Sequence, residues 1–232
     1  VKEVDEHART LEDKFRAQCV MLKCTVSGKD RNYALGVEKT LEVVKMYGEK
    51  IPNRLYPGQL FAENQKLRAR LPGHRLEGLL ELPTMVDEKA IKVTILLTLF
   101  LGVYAYLDHS NHLIWFAAAR ALNISCTKGV CEETAFAVIG LAIQLRLDGH
   151  YQEANEYAEL AIKLIGKFPQ KLGSRHAAVI SMAAGEVFSA SRPFNDALDL
   201  WLEAHHIALR TGDTEKAAIS ILGYSYTYFC VG

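Results

Sequence analysis

The stretch "KVTILLTLFLGVYAYLDH", residues 92–109, raises the first question about the fold. Between Lys92 and Asp108 lie fifteen residues without a charge, which suits either a membrane span or a buried helix. At 1.5 Å per residue these fifteen reach roughly 22 Å, short of the roughly 30 Å hydrocarbon layer that needs about 20 apolar residues. We therefore predict a helix of a protein interior, apolar nearly all round and the most buried helix of its array.

Composition limits the classes of function. The chain has 232 residues, half of them apolar, and its 27 basic residues balance its 27 acidic ones. A neutral chain of this kind is typical of a soluble globular protein and offers no net field for nucleic acid or an anionic membrane. A basic cluster, Lys66, Arg68, Arg70 and Arg75, is flanked by acidic residues and is interpreted as a solvated helix face.

The ends of the chain and its cysteines suggest a compartment and a context. Residues 1–12 are a charged helical run without the pattern of a secretory signal, and the five cysteines are an odd number, which suits a reducing compartment. We predict a cytoplasmic protein. Because the chain begins at Val1 and ends in a tyrosine-rich apolar run, we expect residues 1–232 to be one region inside a longer protein.

Apolar residues recur at helical spacing along most of the chain, and sustained strand-like alternation is lacking, so we predict an all-α fold. Short breakers between the helices favour antiparallel pairs. Residues 52–82, with a short helix around 60–71, are predicted to be an irregular or inserted segment. The predicted pairs are 4–26 with 32–48, 87–107 with 111–127, 131–147 with 151–167, and 174–190 with 194–211, followed by 213–230.

Four glycines recur inside the first helices of the predicted pairs: Gly102, Gly140, Gly185 and Gly223. An interior helix glycine costs about 1 kcal/mol relative to alanine, so its recurrence predicts a close approach by a neighbouring helix. The spacing gives a unit of about forty residues. A helical hairpin repeated at this length resembles the tetratricopeptide class of α-solenoid.

An ordered set of segments carries a more specific resemblance, strongest from about residue 47 to the end. The set is similar to the helical-repeat region of large signalling proteins that combine a protein-kinase-like domain, an AAA-type ATPase, a GAF sensor and often a histidine kinase. Its members are "YGEKIP" (47–52), "LPTMVDEKAIKVTILLTLFLGVYA" (82–105), "GVCEETAFAVIGLAI" (129–143), "DGHYQEANEYAELAIKLI" (148–165), "RPFNDALDLWLEAHHIALRTGDTEKA" (192–217) and "YTYFCVG" (226–232).

The resemblance implies a regulatory scaffold that couples a partner to ATPase and kinase modules located elsewhere. The residues themselves predict no enzyme, no cofactor and no metal. Gly28 and Lys29 in "SGKDRN" lack the upstream glycine and the following Ser or Thr of a phosphate-binding loop. Neither a phosphoacceptor-histidine box nor a nucleotide-binding glycine set is visible.

Several clusters of histidine, cysteine or acidic residues resemble sites but suit structural roles better. His109, His112, Cys126 and Cys131 have poor spacing for structural zinc. Cys19 and Cys24 are interpreted as core residues. His205, next to His206, falls on an apolar stripe, where a histidine usually packs within the core. The acidic pairs Glu132–Glu133 and Glu153–Glu156 lack the Glu-x-x-His motif of di-metal bundles and suit helix N-termini.

Two classes of function remain open. The first is a noncatalytic interaction array whose groove binds a protein, a peptide or a neighbouring domain of the same chain, without nucleic acid and without membrane insertion. The second is a helical enzyme or small-ligand sensor with a pocket between helices. A continuous shallow concave face favours the first class, and a deep polar pocket favours the second.

Overall fold

The computed structural model describes residues 10–27, 31–52, 55–168 and 173–231, and this part of the chain is helical throughout its regular structure. Within it, a single parallel β-bridge joins Thr84 to Val130, and no strand is formed. The predicted all-α class is confirmed. The predicted helix start at residue 4, Gly28 and Lys29 lie outside the described residues.

The helices follow one another with short connections. Residues 72–74 and 76–81 form 3₁₀ turns, and two longer helices contain a π-helical segment, Leu96–Gly102 and Ala183–Phe188. The helices are α1 Leu11–Val26, α2 Tyr33–Met46, α3 Pro57–Arg70, α4 Glu88–Leu107, α5 Asn111–Lys128, α6 Glu132–Leu147, α7 Tyr151–Gly166, α8 174–191, α9 Asn195–Arg210 and α10 Thr214–Val231.

Local chemistry explains where these helices begin. Thr10 and Asp13 form a reciprocal capping box, so α1 starts at Leu11. The Asp87 carboxylate accepts a hydrogen bond from the Ala90 amide at 3.0 Å and starts α4. Such caps satisfy amides that have no partner within the helix.

One large cluster of buried apolar side chains extends from Leu22 to Phe188. Helix α6 lies in its centre, with α4, α5 and α7 packed around it, and every residue from 132 to 145 except Gly140 is buried. The prediction that the 92–109 stretch is the most buried helix is therefore wrong. Helix α6 has neighbours on all sides, whereas one face of α4 borders a cleft.

Helix α4 is also longer than its uncharged run. It spans 20 residues and is the one helix, among the residues described, that is long and apolar enough to cross a membrane. The length of α4 therefore does not distinguish a membrane span from a core helix. Half of its apolar window is buried inside the fold, and a core helix meets the same criteria of length and composition. The absence of membrane insertion remains a prediction.

The predicted inserted segment is built around α3, which packs on α5. The side-chain amide of the buried Asn123 donates to the backbone carbonyl and to the carboxylate of Glu63, at 3.1 and 3.0 Å. Arg120 pairs with the same carboxylate at 3.1 Å and also with Glu49. Because the Glu63 side chain is almost fully buried and fully partnered, α3 is held in one register on α5. The basic cluster on 66–75 is exposed, as predicted.

The recurring glycines have two different surroundings. A Cβ atom on Gly185 or on Gly223 would lie within 3 Å of the Trp201 ring, so these two positions require glycine. At Gly140 the nearest atom would be the Cβ of Ala118 at 3.9 Å, an ordinary contact. At Gly102 it would be a carbonyl of the same helix. The expected close approach of a neighbour is confirmed at two of the four positions and is wrong at the other two.

Candidate functional site

A cleft of about 770 Å³ separates α1 from α4. One face of α1 forms the first wall, where Phe15, Cys19 and Lys23 follow one another at the four-residue spacing of a helix face. Ile95 and Leu99 of α4 form the opposite wall at the same spacing. The remaining lining residues are Val26, Ser27, Arg31, Tyr33, Phe100, Tyr104, Leu107, Arg175 and Glu215.

The two walls meet at Tyr104, which closes one end of the cleft. Its hydroxyl donates a hydrogen bond to the backbone carbonyl of Leu22 at 3.1 Å, linking α4 to α1. Burial raises the pKa of Tyr104 to about 12, and the nearby Cys19 and Tyr33 act in the same direction. The hydroxyl therefore stays protonated and remains a donor over the physiological range of pH.

Gly36 of α2 allows this closure. A Cβ at that position would lie 2.6 Å from a Val26 methyl carbon and 2.9 Å from the Tyr104 ring. A side chain there would collide with Val26 of α1 and with Tyr104 of α4, so the geometry of the closed end depends on the small size of residue 36.

Arg175, at the start of α8, lines another part of the cleft and pairs with two buried carboxylates. Its guanidinium lies 3.0 Å from Glu132 and also contacts Glu133, and both side chains are almost fully buried in the first turn of α6. The helix N-terminus gives these acids further support. Since two carboxylates share one cation, the charge of Arg175 is committed to the fold.

One apolar stripe of α4 is less buried than the rest of the helix. Ile91, Ile95, Leu99, Val103 and Tyr106 are half-buried, whereas the residues between them are mostly buried in the core. The π-helical segment Leu96–Gly102 includes Leu99 and inserts extra residues into this part of the helix. π-Helical segments are rare and occur frequently at functional sites, because they change the direction of side chains locally.

Polar contacts tie α4, α6 and α8 together. The Tyr106 hydroxyl donates to the Glu186 carboxylate at 2.9 Å, and Arg146 donates to the same carboxylate at 3.2 Å. Between α8 and α10, Ser181 and Ser220 form a buried hydrogen bond of 2.9 Å. These contacts join α8 to α4, to α6 and to α10.

The four His and Cys residues whose spacing is poor for zinc do not come together as one group. His112 lies in the first turn of α5 and Cys126 in its last, roughly 21 Å apart at 1.5 Å per residue. Cys131 precedes α6, and His109 lies in the turn before α5. Among the residues that the structure describes, no group of three or more His, Cys, Asp or Glu side chains could hold a metal ion.

The other candidate residues have structural surroundings. Nδ1 of His205 lies 2.9 Å from the Ala217 carbonyl, which fits the predicted packing role. Glu153 lies in the first turn of α7, as its acidic character suggested. Cys24 is exposed, so its interpretation as a core residue is wrong. Cys19 is half-buried in the cleft wall. The two cysteines differ in exposure because residues five apart do not share a helix face.

The buried thiols are poor nucleophiles. Burial raises the pKa of Cys126 to about 11 and that of Cys131 to about 12. Burial also raises the pKa of Cys19, although the charges of Lys23 and Arg175 oppose the shift. A reactive cysteine needs a depressed pKa, so none of these three has the environment of a catalytic thiol.

Sequence reasoning missed the residues of this cleft. On α1 the four-residue spacing of Phe15, Cys19 and Lys23 could have predicted that these side chains share one helix face. On α4 no such signal existed, because a helix apolar nearly all round does not reveal which side faces a neighbour. Arg175 and its two carboxylates are distant in sequence and meet only in the fold.

A comparison of the chain with protein-family models, with curated proteins and with solved structures finds no match.

Proposed function

We propose that this chain is a noncatalytic helical-repeat module that binds a segment of a protein, either a partner or a neighbouring domain of the same chain, in the cleft between α1 and α4. The observation that carries the proposal is the apolar stripe on α4, which is half-buried and borders the cleft at Ile95 and Leu99. Apolar surface beside a cleft is typical of protein-binding sites, and helical grooves commonly take up a peptide or a helix.

The arrangement of helices supports a repeat array of the tetratricopeptide type. Helices α4, α6, α8 and α10 begin about forty residues apart, each after a short connection, and each of the first three is followed by a helix packed against it. Trp201 of α9 packs against Gly185 of its own pair and Gly223 of the next. A side chain shared between two successive units is how repeats stack in such arrays.

The proposed scaffold serves a signal-transduction ATPase or kinase in the cytoplasm. The resemblance of the ordered segments described above supports this context. The contribution of the present chain would be recognition, since burial raises the pKa of the Cys126 and Cys131 thiols and the buried Glu132 and Glu133 are paired with Arg175.

The test is a selection for peptides. A displayed library of random 16-residue peptides is selected on the purified chain and then compared on variants of single residues. Leu99→Asp places a charge on the α4 stripe, and Leu222→Asp is the matched control on α10, where Leu222 is 71% exposed. Leu99→Gln serves as the milder variant, with circular dichroism to verify folding.

We expect selected peptides that lose binding on Leu99→Asp and Leu99→Gln and keep it on Leu222→Asp. Peptides that depend on Leu222 and not on Leu99 would contradict the cleft as the site. Failure to select any peptide, together with a thermal shift by a small metabolite that Leu99→Asp abolishes, would favour the small-ligand sensor instead.

A further inference from the structure

The cleft between α1 and α4 combines apolar walls with more cationic than anionic lining residues. Ile95 and Leu99 on one wall and Phe15 and Val26 on the other supply the apolar surface. Three cationic side chains line it, Lys23, Arg31 and Arg175, against one carboxylate, Glu215. Because Arg175 is paired with Glu132 and Glu133, the positive charge that the cleft offers to an occupant is that of Lys23 and Arg31.

The three cations differ in availability. Arg175 is committed to Glu132 and Glu133 behind the cleft wall. Within the described parts of the chain, neither Lys23 nor Arg31 has a carboxylate within ion-pair distance. Lys23 lies in the last turn of α1 and Arg31 shortly before α2, and both side chains line the cleft.

The opposite wall offers these cations no counter-charge. Helix α4 has no charged residue between Lys92 and Asp108, the stretch that faces α1 across the cleft. The single lining carboxylate, on Glu215, is highly exposed and lies 4.0 Å from Lys216. An occupant that supplies both apolar side chains and carboxylates would therefore complement both features of the cleft.

We infer that the cleft binds an acidic amphipathic peptide segment, with its apolar face on Ile95 and Leu99 and its carboxylates toward Lys23 and Arg31. This inference rests on the proposed function and adds the chemistry of the partner. Electrostatic complementarity selects among segments that share an apolar face, since like charges in the cleft would oppose binding.

The peptide selection described above also supplies the test, with the net charge of the selected sequences as its readout. The strongest selected peptide is then synthesised with a fluorescent label, beside a counterpart in which every Asp and Glu is replaced by Lys. Binding is measured by fluorescence anisotropy at 50 and 500 mM salt. The variants are Lys23→Glu with Arg31→Glu, and the matched control is Lys163→Glu with Arg210→Glu, exposed positions on α7 and α9.

We expect selected peptides with net negative charge, and binding that weakens about tenfold in the Lys23→Glu/Arg31→Glu variant and at high salt. The control variant should bind like the wild type. The same cleft variant should improve binding of the Lys-substituted counterpart.

Two outcomes would overturn the inference, and they differ in what they mean for the proposed function. Selected peptides that are neutral or basic and still depend on Leu99 would leave the docking cleft in place and refute the acidic partner. Failure to select any peptide would refute both.

Discussion

Helices α4 and α6 are both rich in apolar residues, and their surroundings differ. In α6 the residues from 132 to 145 are buried with the exception of Gly140, because helices pack around it on all sides. In α4 only about half of the helix is buried, and the stripe through Ile95 and Leu99 borders the cleft. Similar apolar composition therefore does not give equal burial. Helix α6 is buried on all sides, whereas one face of α4 is only half-buried, at the cleft.

The largest expected effect comes from truncating one apolar side chain in each helix. Ile139→Ala in α6 should destabilise the fold by about 3 to 4 kcal/mol, because the side chain is fully buried and its removal leaves a cavity. Leu99→Ala on the α4 stripe should cost about 1 kcal/mol or less. Urea unfolding followed by circular dichroism measures both. Equal losses would remove the contrast between the two helices.

The next largest effect on stability should come from removing the Arg175 cation, which lies beside Glu132 and Glu133. Arg175→Ala leaves Glu132 and Glu133 buried at the start of α6 without their cation. We expect a loss of roughly 2 kcal/mol, below the roughly 3–5 that is typical of a fully buried pair, because Arg175 is itself partly exposed. The check is urea unfolding of Arg175→Ala alone and combined with Glu132→Gln and Glu133→Gln. If the combined variant is no more stable than Arg175→Ala, the carboxylates are not the cause.

Two of the interior helix glycines, Gly140 and Gly223, should respond oppositely to an added methyl group. Gly140→Ala in α6 should stabilise the fold by up to about 1 kcal/mol, since the added methyl group meets only an ordinary contact. Gly223→Ala should destabilise it by about 1 to 2 kcal/mol, because the methyl group would collide with the Trp201 ring. Thermal unfolding of the two variants is sufficient. A stabilising Gly223→Ala would contradict the packing of Trp201 between successive units.

The smallest effect concerns the closed end of the cleft. The pKa of Tyr104 is raised to about 12 by burial, so the folded state holds the phenolic proton more tightly than the unfolded state does. Its contribution to stability is fully present below about pH 10, the usual tyrosine pKa, and is lost as the pH rises toward 12. Urea unfolding between pH 8 and 11.5 should show a smaller alkaline loss in Tyr104→Phe than in the wild type. Identical pH profiles would contradict this contribution.

Much of the fold could be predicted because helical periodicity and caps are local. The predicted bounds 87–107, 194–211 and 213–230 lie within one residue of α4, α9 and α10 at each end. The short helix expected around residues 60–71 corresponds to α3, whereas its attachment to α5 through Glu63 and Asn123 could not be predicted, because those contacts join residues distant in sequence.

The cleft was harder to predict from the sequence, because one of its walls is a helix without a polar face. A run such as residues 93–107 has no polar face, so the sequence alone cannot show which side remains open. The π-helical segment at Leu96–Gly102 further shifts the faces away from a regular helical register. The two glycines that contact Trp201 and the two that do not are also indistinguishable by spacing.

The most direct test of the central claim is a crystal structure of the chain bound to its strongest selected peptide. We expect the peptide to lie between α1 and α4, with apolar side chains on Ile95 and Leu99 and carboxylates near Lys23 and Arg31. A peptide bound elsewhere, for example on the exposed apolar face of α10, with the α1–α4 cleft empty, would contradict it.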